Sequence, residues 1–399
     1  MSARRLQGGS APLRLLPGAL RRGVERFAGR HQSLAVLVGV ALVGAFLPVI
    51  VGVPPFSGFG NRNDFVDGFA NAGVFVLLAL GLNVVVGLAG LLDLGYAAFF
   101  AIGSYAYAYS ASPFSHLDVP FWPMLLVGAM VAATFGILLG APTLRLRGDY
   151  LAIVTLGFGE IVPVVFLNSD TYTNGTNGIS AVYQPSAYGL FGIGSFGFGN
   201  PWPYYVTVLA IVAVAMMLLY RLQDSRLGRA WVAIREDEVA AASMGVNTVT
   251  TKLLAFAIGA STAGLAGVFN ASKLSLVSPD QFGFTVSFTI LAMVVLGGMG
   301  NIWGVAIGAF TLYEVQSVFL KQLTNFVHDI HLPAVDLGFL RLDISAIDFV
   351  QYQFLLYGLA LVSMMLLRPE GLFPSRERKR ELHESAEEAA ESNEEVVQA

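Results

Sequence analysis

"NAGVFVLLALGLNVVVGLAG", residues 71–90, runs for twenty residues without a charge. A helix needs about 20 mainly apolar residues to cross about 30 Å of hydrocarbon, where only a helix or a closed barrel satisfies its own backbone. Barrel strands would show short apolar–polar alternation, which is not seen. The rest of the chain agrees: of 399 residues, 55% are hydrophobic and 13% charged, against roughly a quarter charged in an ordinary soluble domain.

Apolar runs with flanking breakers predict an all-α polytopic membrane protein of about ten transmembrane helices, at 34–53, 69–89, 95–112, 121–141, 151–168, 202–221, 252–271, 285–301, 304–321 and 350–367. The second and third runs are separated only by "LAGLLDLGY", the eighth and ninth only by "GMGNIWG". Either pair is compatible with a broken or re-entrant helix in place of two full crossings. Cytoplasmic loops collect Lys and Arg, and ten spans with the N-terminus inside place 19 of the 23 basic residues on the inner side. The outer side keeps Arg62, Lys273, Lys321 and Arg341. Both termini are therefore expected in the cytoplasm of a cell bounded by this plasma membrane.

Three regions follow. Residues 1–33 form a basic tail before an uncleaved first helix, because Arg14 interrupts "APLRLLPGAL" whereas the run from Leu34 is long enough to span. Residues 34–374 form the membrane domain, with an inner loop at 222–251 and a long outer loop at 169–201. Residues 375–399 are basic, then acidic, without an aromatic residue, and read as a solvated, disordered tail. The Gly- and aromatic-rich 169–201 reads as a folded docking surface, with a loosely packed cap as the alternative, since loops of that length in a compact protein are functional or unstructured.

Catalytic chemistry finds no support, and no catalytic residue is expected. The phosphate-cradling G-x-x-x-x-G-K-[ST] loop is missing, as are G-x-S-x-G and H-E-x-x-H. Cysteine is absent. His328 and His331 lie i, i+3 beside Asp329 in the outer loop 322–348, but two histidines lack the third ligand a metal site requires. Nothing points to nucleic acid. Energy for any transport must come from another chain or an ion gradient.

Charges inside hydrocarbon are costly and stay where they work. The candidates are Asp93, near a pathway; Glu160 and Glu314, for helix pairing, a wet pathway or a proton relay; and Asn83, which serves either as interhelical glue or as a pore-lining group. Gly300, Gly304 and Gly308, four apart in "GNIWGVAIG", predict a bare helix face for close packing, as do Gly136 and Gly140. In the inner loop, Ala230 to Met244 are helix formers and Gly245 sits where a helix would stop. Arg235, Glu236, Asp237 and Glu238 keep that helix in water. Ala240, Ala241 and Ala242 offer a low surface over which a partner's groove can close, although a plain solvated connection fits the same residues.

Six ordered blocks, "GLAGLLDLGYAAFFAIGSYAYA" (87–108), "LRLRGDYLAIVTLGFGEIV" (144–162), "NGTNGIS" (174–180), "SRLGRAWVAIREDEVAAASMGVN" (225–247), "LAMVVLGGMGNIWGVAIGAF" (291–310) and "LRPEGLF" (367–373), resemble the permease subunits of bacterial ABC importers for branched-chain amino acids, of the LivM type. The resemblance runs over nearly all of 69–374. It implies a subunit that forms half the pathway and works with two ABC ATPases, a second homologous LivH-like permease and an extracytoplasmic binding protein. ATP and Mg2+ would be bound by the ATPases and no cofactor by this chain. It also implies that Arg235, Glu236, Asp237, Glu238, Ala240, Ala241 and Gly245 form the segment that couples to the ATPase. Asp93 stands where similar proteins usually carry Ser, and Asn174 where many carry Gly. The alternatives are a permease for urea or short amides, and a stand-alone gradient-driven carrier.

Overall fold

The computed structural model describes residues 32–51, 61–143, 149–185, 196, 197, 199–322, 324, 325, 335, 336, 341, 342, 351–367, 372 and 373. The basic N-terminal tail up to residue 31, the acidic tail from 375, Arg145 and Arg147, and the His328–His331 pair lie outside these residues.

The long apolar runs are helices. In chain order they are α1 (Gln32–Val51), α2 (Arg62–Leu82), α3 (Ala97–Ser110), α4 (Phe121–Thr143), α5 (Asp149–Asn168), the short α6 (Asp170–Thr173), α7 (Trp202–Gln223), α8 (Arg226–Glu236), α9 (Glu238–Ser243), α10 (Thr248–Leu274), α11 (Phe284–Gly297), α12 (Ile302–Glu314) and α13 (Gln353–Leu367). Seven helical stretches among the described residues are long and apolar enough to cross a membrane: Arg62–Leu88, Phe121–Thr143, Tyr150–Asn168, Trp202–Gln223, Thr248–Leu274, Pro279–Gly297 and Ile302–Gln322. A helix also stands at each of the other three predicted positions, but none of these three meets that test. At 1.5 Å per residue, the 14 residues of α3 reach only about 21 Å.

Small residues set the core. The long α10 packs along both α3 and α4, and its backbone comes close because glycines meet there. A Cβ added at Gly264 would stand 2.5 Å from the Gly128 carbonyl oxygen, and one at Gly103 2.5 Å from the Gly264 Cα. Such faces hold membrane helices together by van der Waals contact, since lipid offers no hydrophobic drive. Hydrogen bonds reinforce them: Tyr96 donates to the Gly259 carbonyl at 2.7 Å, and Ala97 N–H donates to Ser287 Oγ at 2.9 Å. Around this core α1, α4, α5 and α13 turn Leu42, Phe46, Met130, Ile153, Ile161 and Leu359 outward.

Two spans contain a π turn, α2 at Asn83–Leu88 and α12 at Val315–Phe319. The ends of the bundle differ. One end carries α8, α9 and the breaks after α2 and α11. At the other end β1 (Ile179–Ser180) pairs antiparallel with β2 (Leu276–Val277), Ile179 facing Val277. There Tyr107 donates to the Tyr183 carbonyl at 2.7 Å, so residues 169–185 of the long loop are folded onto α3 and α10. Asn174 has φ +58°, the left-handed backbone at which Gly is the common choice and Asn the next best.

Candidate coupling site

The segment 225–247 builds itself from local signals. Ser225 caps α8 by accepting from the N–H groups of Leu227 and Gly228. Trp231 and Ile234 turn inward, and the Trp231 indole donates to the Thr251 carbonyl at 2.7 Å, anchoring α8 to the start of α10. The single helix expected over Ala230 to Met244 is instead broken. Asp237 is extended, with φ −153°, and its carboxylate caps α9 by accepting from Val239 and Ala240. Asp is among the strongest N-capping residues, so the signal for the break lies in "REDEV" itself, where the cap at Asp237 outweighs the helix propensity of its neighbours. Gly245, at φ +86°, ends α9: its N–H donates to the Ala242 carbonyl and that of Val246 to the Ala241 carbonyl. This crossed pair is the Schellman arrangement that favours Gly.

The exposed surface also differs from expectation. Ala240 and Ala242 face outward, but Ala241 is buried, 5% exposed. The apolar groups presented are Val239 and Met244, 64% and 86% exposed. Glu236 is exposed. Glu238 reaches back to the buried Lys252 of α10 at 2.6 Å. Arg235 donates to the Gly87 carbonyl at 2.6 Å, within the π turn of α2.

Behind that contact a chain of hydrogen bonds crosses the bundle. Asn83, one turn before Gly87, is buried and accepts from the Gly300 N–H at 2.8 Å. The Gly300 carbonyl accepts from Gln223 at the end of α7 at 3.4 Å. Asn301 caps α12 and also donates to the Phe373 carbonyl at 2.9 Å. Leu372 and Phe373 donate to the Leu296 and Gly297 carbonyls that end α11. Asn83 is thus held in an interhelical hydrogen bond. Gly300 is not on a helix face either; it lies at φ +82° in the break before α12, while Gly304 and Gly308 pack against Gly297.

The other candidates separate in space. Asp93 lies in the connection between α2 and α3, where one oxygen accepts from Gly95 N–H at 2.9 Å and fixes the turn into α3. Its second oxygen is buried without a partner among the described residues, and burial raises its pKa to about 6. A small cavity of about 110 Å³, lined also by Thr155, Phe158 and Phe256, adjoins it. Glu160 is exposed midway along α5, on the face that carries Ile153, Gly157 and Ile161. Glu314 ends α12 beside Gly68 of α2, with Oε1 buried and without a hydrogen-bond partner among the described residues.

The sequence pattern of the branched-chain amino acid transport system permease component matches residues 65–367. The chain belongs to this family. The permease is 39% identical over 382 residues to LivM, the high-affinity branched-chain amino acid transport system permease protein of Escherichia coli strain K12, covering 90% of this chain and 82% of that one. It is 23% identical to a probable LivM of Methanocaldococcus jannaschii over 89% of this chain and 86% of that one. It is also 27% identical to LivH of Escherichia coli strain K12, over 66% of this chain and 87% of that one. No solved structure matches the permease. A transport permease component is not an enzyme, which accords with the lack of catalytic motifs.

Proposed function

We propose that this permease is one membrane subunit of an ABC importer for branched-chain or related amino acids, with ATP bound and hydrolysed by two separate ATPase subunits that grip α9. The reading rests above all on the exposed Val239 and Met244 of a short helix that is tied to α10 through Glu238 and Lys252 and that follows Arg235 at the end of α8, which is bonded into α2. A two-state equilibrium shifts only where a ligand contacts the two states differently, so a chain without the G-x-x-x-x-G-K-[ST] motif would need such a handle to be driven by ATP. The named relatives favour branched-chain amino acids over urea or short amides.

In this reading α8 and α9 lie in the cytoplasm with both termini, and the strand pair and the 169–185 segment face the extracytoplasmic binding protein. Ten helices thread the bilayer, α3 as a buried, partial one. The exposed face of α5 with Gly157 and Glu160 meets a homologous LivH-like permease across the pathway, where a carboxylate is tolerated because it faces water or a partner. ATP binding displaces α9; Arg235 carries the shift to the π turn of α2, and Asn83 passes it to the break between α11 and α12. π turns are frequent at functional sites because they leave carbonyls such as that of Gly87 free for other partners.

Reconstitution with the partner ATPases, sister permease and binding protein tests this. Leucine uptake that requires ATP is expected, with hydrolysis stimulated by loaded binding protein. Uptake by the permease alone, without ATPases, would refute it.

A further inference from the structure

At the end of the bundle away from α9 lies an open cavity of about 690 Å³, within the range of small-molecule sites. Its walls come from the start of α2, the ends of α10 and α12, and the loop before α7. Four charged residues line it, Asp64, Asp67, Lys273 and Lys321, two of each sign. Lys273 is fully engaged: it bonds Asp67 Oδ1 at 2.8 Å, the Asn71 side-chain oxygen and the Asp67 carbonyl, and its side chain is 6% exposed. That pair holds the Asp67 carboxylate, 51% exposed, open to the cavity. Asp64 stands one turn earlier on the same side of α2, where i, i+3 residues are neighbours. Neither Asp64 nor Lys321 has an ion-pair partner among the described residues.

With Asp67 neutralised by Lys273 and its second oxygen accepting from the Asn71 amide at 3.3 Å, the unpaired charges among the described residues are the Asp64 carboxylate on the α2 wall, beside the half-exposed Asp67, and the Lys321 ammonium on the α12 wall. A lone anion would be repelled by the first and a lone cation by the second. A small molecule carrying both charges meets complementary groups at each end, and Tyr204, Tyr313 and Val318 give an apolar side chain a place to lie. We propose that this cavity binds the zwitterionic head of a free α-amino acid, its ammonium toward Asp64 and Asp67 and its carboxylate toward Lys321. The inference rests on the import reading above, as the vestibule into which the delivered ligand passes. Ser317 and Val318 of the cavity wall belong to the π turn of α12, so occupancy touches a segment able to rewind.

The test uses the full chain in lipid nanodiscs, without partners, and radiolabelled leucine as the probe. Leucinamide, which lacks the carboxylate, and 4-methylpentanoate, which lacks the ammonium, serve as competitors. Saturable leucine binding is expected, with each competitor at least about tenfold weaker, the equivalent of about 1.4 kcal/mol. Lys321→Gln should remove the preference for leucine over leucinamide, and Asp64→Asn should weaken leucine and leucinamide alike. Both side chains are exposed, so thermal unfolding should match the wild type. Absence of saturable binding, equal displacement by the singly charged analogues, or wild-type binding in both variants would overturn the inference. Leucine import by the wild-type assembly without such binding would sink the cavity alone. Binding with this charge signature but no import would sink the import reading alone.

Discussion

Truncating the two apolar side chains on α9, Val239→Ala with Met244→Ala, should uncouple the permease without unfolding it. Burying a Val or Met side chain completely is worth roughly 1.5–3 kcal/mol. Met244 is 86% and Val239 64% exposed, so most of both side chains is available to a partner and little of either contributes to the fold. Retaining Cβ leaves losses of roughly 2 kcal/mol for Met244 and 1 for Val239. The sum, about 3 kcal/mol, corresponds to roughly 100-fold weaker ATPase binding. Substitutions at such exposed positions change stability by less than about 0.5 kcal/mol. Titration of the purified ATPase onto permease in nanodiscs measures the affinity, and the thermal unfolding midpoint in the same preparation measures the fold. An unchanged ATPase affinity with normal ligand-stimulated hydrolysis would refute the docking argument, since no other large apolar group on α9 is exposed.

Other perturbations have distinct signatures. Ala241→Asp places a carboxylate at a position only 5% exposed and should destabilise α9 itself, seen as faster proteolysis there, whereas Ala240→Asp should weaken ATPase binding with the fold intact. Asn83→Ala leaves the buried Gly300 N–H without its acceptor, a loss of about 1–3 kcal/mol, and should lower the unfolding temperature and transport together. Asp93 has a pKa raised to about 6, against about 3.9 when unfolded. The folded chain therefore binds the extra proton between those values, and this group's contribution to stability falls as pH rises from about 4 through 6. Asp93→Asn should flatten that part of the stability profile and raise the unfolding temperature at pH 7.5.

The spans were legible because hydrocarbon imposes one rule on every residue of a long run, and "NAGVFVLLALGLNVVVGLAG" obeys it. What the rule does not encode is where a helix stops being regular. The π turn at Asn83–Leu88 and the shortness of α3 depend on tertiary partners, Arg235 on Gly87 and Ser287 on Ala97, that lie far away in the chain. On α9 the alanines drew attention by composition, yet the cap at Asp237 sets the helix phase and turns Ala241 inward and Val239 and Met244 out. Glu160 and Glu314 were recognisable as costly charges, but only the fold separates one exposed on α5 from one half-buried against Gly68. The Asp67–Lys273 pair was missed altogether, because 206 residues separate its members and neither belongs to a motif.

The most direct test of the account exploits the absence of cysteine from the chain, which makes a single Met244→Cys variant a clean reporter of side and partner. Labelling by a membrane-impermeant maleimide is expected in inside-out vesicles but not in intact cells, with protection when the ATPase is bound. Labelling from outside intact cells, or labelling indifferent to the ATPase, would contradict it.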